Sequence, residues 1–479
     1  MSLKKTALSG MVWTTLQQFS VQGINFIVSI ILARLLSPEE FGLVGMIGVF
    51  IIVGNTLYTS GLTQSLIRTK NPDQLDYSTV FWFNFFGSIF IYLILFLFAP
   101  FIADFYDKPI LSTIIRIYGL SFIINALSAV QSTRLTKELN FKTQMKISIP
   151  ATITSAIVGI VLAYNGYGVW SLIYNNLIAV IVVTILLWFH SGWRPSFVFD
   201  KVKFNYHFGF GYKMTMAAVL NTVFNNIYII IIGKLFSATQ LGYYTRADNL
   251  KAFPVNNISQ IVNKVTFPLF AQIQDDDVRL KAMYKRIMEM LVFLVAPVMI
   301  FSAVLAEPLF RFMLTAKWLP AVPYFQILCW AAILLPVHLF NLNILEVKGR
   351  SDLFFRLELI KKGFIILVVL VSLKFGIYGL LWGQLFTTTA SFFINTYYTG
   401  KFLAYFTWQQ TRDLLPILFL ACLAGLGVYF CDYFLSFNHV NDLLRLMIGG
   451  FTGMGFYLVI CFMTKIGAIK EILLIIKRR

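Results

Sequence analysis

Apolar runs recur along the whole chain, each closed by a glycine-rich turn or a short polar loop. Crossing ~30 Å of hydrocarbon takes roughly 20 helical residues at ~1.5 Å each. Fourteen runs are read as spans on this scale: 10–32, 41–62, 79–101, 110–131, 147–164, 167–189, 208–232, 247–270, 289–312, 323–345, 362–374, 376–398, 413–434 and 443–465. The fifth and sixth are separated only by Asn165–Gly168, and the eleventh and twelfth only by Phe375–Gly379. The longest clear connection is 190–207, where aromatic and basic residues alternate as suits a chain lying on a membrane face. The pattern predicts an all-α membrane protein of about 14 transmembrane helices. Residues 1–189 form a first six-helix bundle, 190–207 a cytoplasmic linker and 208–400 a second six-helix bundle. Residues 401–479 add two extra spans and a basic tail.

The two bundles echo each other at a spacing of 200 residues. Asn25–Gly42 and Asn225–Gly242 share seven of 18 positions: Asn25/Asn225, Ile27/Ile227, Ile30/Ile230, Ile31/Ile231, Leu35/Leu235, Ser37/Ser237 and Gly42/Gly242. Arg34/Lys234 and Glu40/Gln240 are conservative pairs. Two matching halves in an apolar chain point to a transporter with its site between the halves.

Polar residues inside spans are costly and concentrate where helices meet water or each other. The first span carries Thr14, Gln18, Gln22, Asn25 and Ser29 at steps of three and four, so they share one helical face. The second carries Asn55, Thr56 and Thr59. The seventh carries Lys213, Asn221, Asn225 and Tyr228, and the eighth Arg246, Asn249, Asn256, Asn257, Gln260, Asn263 and Lys264. Interhelical bonding accounts for any single amide. A water-filled cleft accounts better for polar faces recurring in the repeat-related spans. The mid-membrane positions are neutral amides, which suit sugar hydroxyls. The cations Lys213, Lys264, Arg116 and Lys251 lie nearer the span ends, where they either meet phosphate or snorkel to the interface. Pro254 predicts a kink in the eighth span, and Gly45, Gly48 and Gly54 a pliable second span. Asp248 is a candidate ion-coupling carboxylate or a partner for Lys251. His338 is a candidate proton relay or a packed core residue.

Composition narrows the class. The chain is 58% hydrophobic and 13% charged, against about 25% charged in soluble domains. The net charge of +18 does not imply nucleic acid, because 27 of the 39 Lys and Arg fall on the loops of one side and at the termini. By the positive-inside rule that side, with both termini, is cytoplasmic. The N-terminal apolar run reads as an uncleaved first span. Cys329, Cys422, Cys431 and Cys461 lie in apolar runs without metal-ligand spacing. No metal, cofactor or catalytic group is expected, and no loop much exceeds 20 residues, too little for an enzyme domain.

Four segments carry a family resemblance: L-A-R-L-L-S-P-E-E-F-G-L (32–43), L-G-Y-Y-T-R-A-D-N-L (241–250), F-P-L-F-A-Q-I-Q-D-D (267–276) and G-R-S-D-L-F-F-R-L-E-L-I-K-K (349–362). Over essentially its whole length the chain resembles the polysaccharide flippases of the multidrug/oligosaccharidyl-lipid/polysaccharide exporter superfamily, of the Wzx or colanic-acid-exporter type. The resemblance implies two bundles in a V with the first and seventh spans lining a central cleft. It implies an oligosaccharide on a polyprenyl pyrophosphate, moved from inner to outer leaflet of a bacterial inner membrane. A polysaccharide polymerase and other assembly proteins are then expected partners. Related peptidoglycan-precursor flippases carry arginines in the first span, where this chain has Gln17, Gln18 and Gln22. A cationic pyrophosphate site must then come from the seventh or eighth span or elsewhere. Two other readings stand beside this one. A cation-coupled multidrug exporter would want a carboxylate in the cleft, and a membrane polymerase or ligase would want a large outer loop.

Overall fold

The computed structural model describes residues 3–467, and among these residues it is helical without a strand. The helices are α1 (Leu3–Leu35), α2 (Pro38–Arg68), α3 (Gln74–Phe105), α4 (Ile110–Tyr118), α5 (Leu120–Lys137), α6 (Phe141–Tyr164), α7 (Val169–His190), α8 (Lys201–Asn225), α9 (Ile227–Leu235) and α10 (Ala238–Gln272). They continue as α11 (Asp277–Val304), α12 (Ala306–Leu314), α13 (Val322–Ala332), α14 (Leu335–Val347), α15 (Ser351–Ser372), α16 (Gly376–Leu403), α17 (Thr407–Phe437) and α18 (Asp442–Met463). Among the described residues, eleven helical stretches are long and apolar enough to cross a membrane, and the bent pair α8–α9 raises the number to 12. The chain is a multi-pass membrane protein. Two features separate this count from the fourteen runs of the sequence. α10 is too polar to qualify, and α15 and α16 fall in one continuous 52-residue stretch.

By compactness the chain divides into Met1–Gly242 and Tyr243–Arg479. In the first unit α1 packs on α6 through Val28, Leu32, Leu36, Ala156 and Ala163, with Leu172 of α7 closing the cluster. A second core joins α2, α3 and α5 through Leu62, Leu66, Phe81 and Val130. α8 and α9, which open the second copy of the repeat, pack in this unit against α2. The segment after α7 is stitched to the start of α3. Trp193 Nε1 donates to Gln74 Oε1 at 2.6 Å, Trp82 Nε1 to the Ser196 carbonyl at 2.8 Å, and the Asp200 N–H to Thr79 Oγ1 at 3.1 Å. Asp200 then caps α8 by accepting from the N–H groups of Val202 and Lys203. Helix therefore begins at Lys201, inside the segment read from sequence as linker.

The second unit is built around α11, whose buried face meets α13, α14 and α17. Trp318, Phe310, Phe325 and Phe340 are fully buried there. The last two helices pack on this core rather than beside it. Gly425 of α17 abuts Ile300, and Gly453 of α18 abuts Val428. At one end, the Tyr284 hydroxyl lies 2.9 Å from Asn341 Oδ1 and 3.2 Å from Gln410 Oε1, its single proton serving one of them at a time, and so ties α11 to α14 and α17.

Both copies of the repeat start a helix in the same way. Ser37 and Glu40 form a reciprocal capping box at α2, with the Ser37 N–H donating to Glu40 Oε2 at 2.6 Å. Ser237 and Gln240 repeat it at α10, at 3.3 Å and 3.2 Å. The shared Ser and the Glu/Gln pair are thus explained by local helix initiation.

Candidate functional site

The polar residues of the first unit separate into structural and accessible sets. Gln17 donates to Ser148 Oγ at 2.8 Å and pins α1 to α6. Gln18 and Gln22 are half-buried, and Gln22 Oε1 is buried without a hydrogen-bond partner. Asn25, Asn221 and Asn225 are exposed, although they sit within apolar spans. Asn55 is half-buried. Lys213 is exposed, its ammonium 5.9 Å from the Tyr212 ring centroid. Arg116 is half-buried against Phe96, 4.4 Å from that ring centroid, with Nε buried and unpartnered. It belongs to α4 and lies in this unit with the amides of α1 and α8.

α8 ends in a break. α8 and α9 meet at 48° around Asn226, whose side chain donates back to the Thr222 carbonyl at 2.8 Å. The chain bends beside Asn221 and Asn225, while the Asn226 N–H still reaches the Thr222 carbonyl at 3.2 Å and the Ile230 N–H the Asn226 carbonyl at 3.1 Å. Pro254, where the sequence places a kink, lies inside α10 (Ala238–Gln272). The tandem Asn225-Asn226 in an apolar run was the available signal for the break.

In the second unit Asn256 and Gln260 are exposed on α10, and Asn257 is half-buried and donates to the Phe253 carbonyl at 2.8 Å. Lys251 is buried, with its ammonium 2.5 Å from Asp248 Oδ1. The two candidates, cation and coupling carboxylate, thus occupy each other. The Lys264 side chain lies outside the described residues. His338 is half-buried, with Nδ1 3.4 Å from Asn395 Nδ2.

One constellation escaped the sequence reading. At the basic ends of α2, α3 and α8, Ser65 Oγ lies 2.8 Å from His207 Nδ1, and His207 Nε2 lies 3.1 Å from Asp76 Oδ1. A carboxylate only accepts, so Nε2–H donates to Asp76 and Nδ1 accepts from the Ser65 hydroxyl. Lys203 Nζ bridges Asp76 at 2.9 Å and Asp73 at 3.2 Å. Asp73 also caps α3, and the Asp76 backbone N–H, its first influence, helps hold its carboxyl below the usual range. Ser65 and His207 are fully buried and Asp76 nearly so. The order Ser–His–Asp matches a nucleophilic triad, but no reactant reaches a hydroxyl with zero exposure. The parts were visible in the sequence as Asp76, Lys203 and His207 near span ends; their meeting was not.

The arrangement places neutral amides and a bent helix pair within apolar spans, chemistry that suits a polar group. A model of the family described as polysaccharide biosynthesis protein matches residues 31–323. The teichuronic acid biosynthesis protein TuaB of Bacillus subtilis (strain 168) is 27% identical over 74% of this chain and 74% of its own. The lipopolysaccharide biosynthesis protein WzxC of Escherichia coli (strain K12) is 25% identical over 82% of each. The lipid II flippase MurJ, in its inward closed conformation, shares the fold with a TM-score of 0.76 over 94% of this chain and 97% of that one, at 14% identity. With more than half its length under one family model, the chain belongs to the polysaccharide biosynthesis protein family.

Proposed function

We propose that this protein is a flippase for a lipid-linked oligosaccharide, the repeat unit of a surface polysaccharide carried on a polyprenyl pyrophosphate. The exposure of Asn25, Asn221 and Asn225 within apolar spans carries this reading. An amide facing hydrocarbon is costly, so accessible amides at that depth imply a hydrated path for a sugar headgroup. Gln18, Gln22 and Asn55 extend that path in the first unit, and Asn256, Asn257, Gln260 and Lys264 carry the same role in the second. Lys213 and Arg116 are the cations for pyrophosphate, because neither engages a carboxylate in a described ion pair. Lys251 is assigned to Asp248 instead.

The reading includes topology. Counting α15 and α16 separately and adding the polar α10 brings the spans to fourteen, two groups of six and a final pair. The basic-loop side and both termini are cytoplasmic, in a bacterial inner membrane, and the headgroup moves outward while the lipid tail stays in the bilayer. The names of TuaB and WzxC support a polysaccharide substrate over a multidrug one. A catalytic role is disfavoured by the burial of Ser65.

The test is reconstitution. Purified protein in vesicles is given a fluorescent polyprenyl-pyrophosphate oligosaccharide on the inner leaflet. The expected result is time-dependent exposure of the sugar to an external lectin, lost on Asn221→Leu with Asn225→Leu. Equal exposure in protein-free vesicles, or with the double variant, overturns the reading.

A further inference from the structure

The segment between α7 and α8 is held by protein bonds of its own. The Ser196 N–H donates to Ser78 Oγ at 3.0 Å, and the Arg194 carbonyl accepts from Gln74 Nε2 at 2.8 Å. The Val198 N–H donates to the Ser196 carbonyl at 2.8 Å, a γ-turn with Phe197 at its apex. The Phe197 side chain is 92% exposed. Its ring stacks on Trp82 at 5.1 Å between centroids, and Trp82 stacks on Phe86 at 5.8 Å. Phe86 and Phe90 are 61% and 64% exposed. With Leu93 and Leu97, also exposed, they follow Trp82 at steps of four, four, three and four, so they share one face of α3. α3 is long and apolar enough to cross a membrane, which sets this face against acyl chains. Phe197 therefore prolongs a lipid-facing aromatic ladder beyond the helix itself.

Two cations bracket the apex. Arg194 and Lys201 are exposed, and neither engages a carboxylate in a described ion pair. The Arg194 guanidinium lies 5.0 Å from the Trp188 ring centroid. The carboxylate between them in sequence, Asp200, accepts from the N–H groups of Val202 and Lys203. Both cations sit at the basic ends of spans, the level of lipid phosphates. An apolar apex is costly in water and a cation is costly in hydrocarbon, and the boundary between headgroups and acyl chains satisfies both. We propose that the 194–201 turn, with Trp82 and Phe86, is a site for an anionic phospholipid of the leaflet on the basic side. Arg194 and Lys201 take the headgroup phosphate, and one acyl chain lies along the Phe197–Trp82–Phe86 ladder. The continuity of that ladder with the membrane face of α3 favours a lipid over a protein partner. The same turn carries the Asp200 cap, so bound lipid steadies the start of α8. The proposal needs only the membrane placement of α3 and stands apart from the transported substrate.

Lipid retention tests it on purified full-length protein, stripped of lipid in detergent and offered dioleoyl phosphatidylglycerol or dioleoyl phosphatidylcholine. Native mass spectrometry should show phosphatidylglycerol held in preference. Arg194→Gln with Lys201→Gln should weaken that binding roughly tenfold, the scale of two cations at an anionic membrane surface. Phe197→Ser should weaken the binding of both lipids. Arg412→Gln removes an exposed cation of the second unit and should change nothing. No preference for phosphatidylglycerol, full retention by the double variant, or an equal loss in Arg412→Gln overturns the proposal. A benzoylphenylalanine photoprobe in place of Phe197, irradiated in native membranes, should form lipid adducts. A crosslink to protein instead, a second copy of this chain included, overturns it too. Displacement of phosphatidylglycerol by an equal concentration of polyprenyl phosphate assigns the turn to the substrate and overturns the phospholipid site.

Discussion

Arg445 grips Asp432 through two parallel bonds, Nε to Oδ1 and Nη2 to Oδ2, each 2.9 Å long. Their side chains are 7% and 14% exposed, so α17 and α18 are joined by a largely buried fork. Arg445→Ala should cost about 3 kcal/mol, because it strands a buried carboxylate. The measurement is the Tm of purified protein by tryptophan fluorescence. Arg445→Lys should recover only part of the loss, since an ammonium lacks the planar fork.

Lys251 and Asp248 present the opposite case to Lys213. Lys251→Met should lower Tm, and Asp248→Leu on that background should restore much of it, as expected of a mutually dependent pair. Lys213→Met should leave Tm unchanged and reduce sugar movement in vesicles. Normal transport by Lys213→Met at equal protein level removes Lys213 from the path.

Neighbouring glutamines of α1 should respond differently. Gln17→Leu breaks the bond to Ser148 and should cost about 1 kcal/mol of stability. Gln22→Leu removes a carbonyl with no partner, so stability should hold or rise while transport falls. A thermal-shift series run beside the vesicle assay separates the two.

Asn226→Ala removes the bond to the Thr222 carbonyl and supplies a strong helix former at the break. The expected result is a straighter α8–α9 pair and roughly tenfold slower sugar movement, as a broken helix is a recurring transporter device. Spin labels at Val202 and Leu235 would read the change in end-to-end distance.

Much of this architecture was legible in the chain. The apolar runs predict helices, and the 200-residue echo marks Ser37/Ser237 and Glu40/Gln240, which the structure shows as matching capping boxes. The fourteen-run count exceeds what apolarity alone supports, because α10 trades hydrophobicity for amides along its length. For the candidate site, the polar stripe of α1 was visible, yet Gln17 and Gln18 look alike in sequence, and docking sets Gln17 on Ser148.

What the sequence determined by itself is whatever neighbours within one helical turn decide: span length, caps, the basic bias of one set of loops, and the polar face of α1. Those signals are local, since a helix bonds residues three and four apart. The tertiary structure alone decided which faces meet. Asp76 and His207 are separated by 131 positions, Gln17 and Ser148 by the same number, and Gly61 faces Gly211 across two backbones. Such contacts depend on how whole helices dock, and a single glycine or histidine carries no mark of the partner that docking will bring.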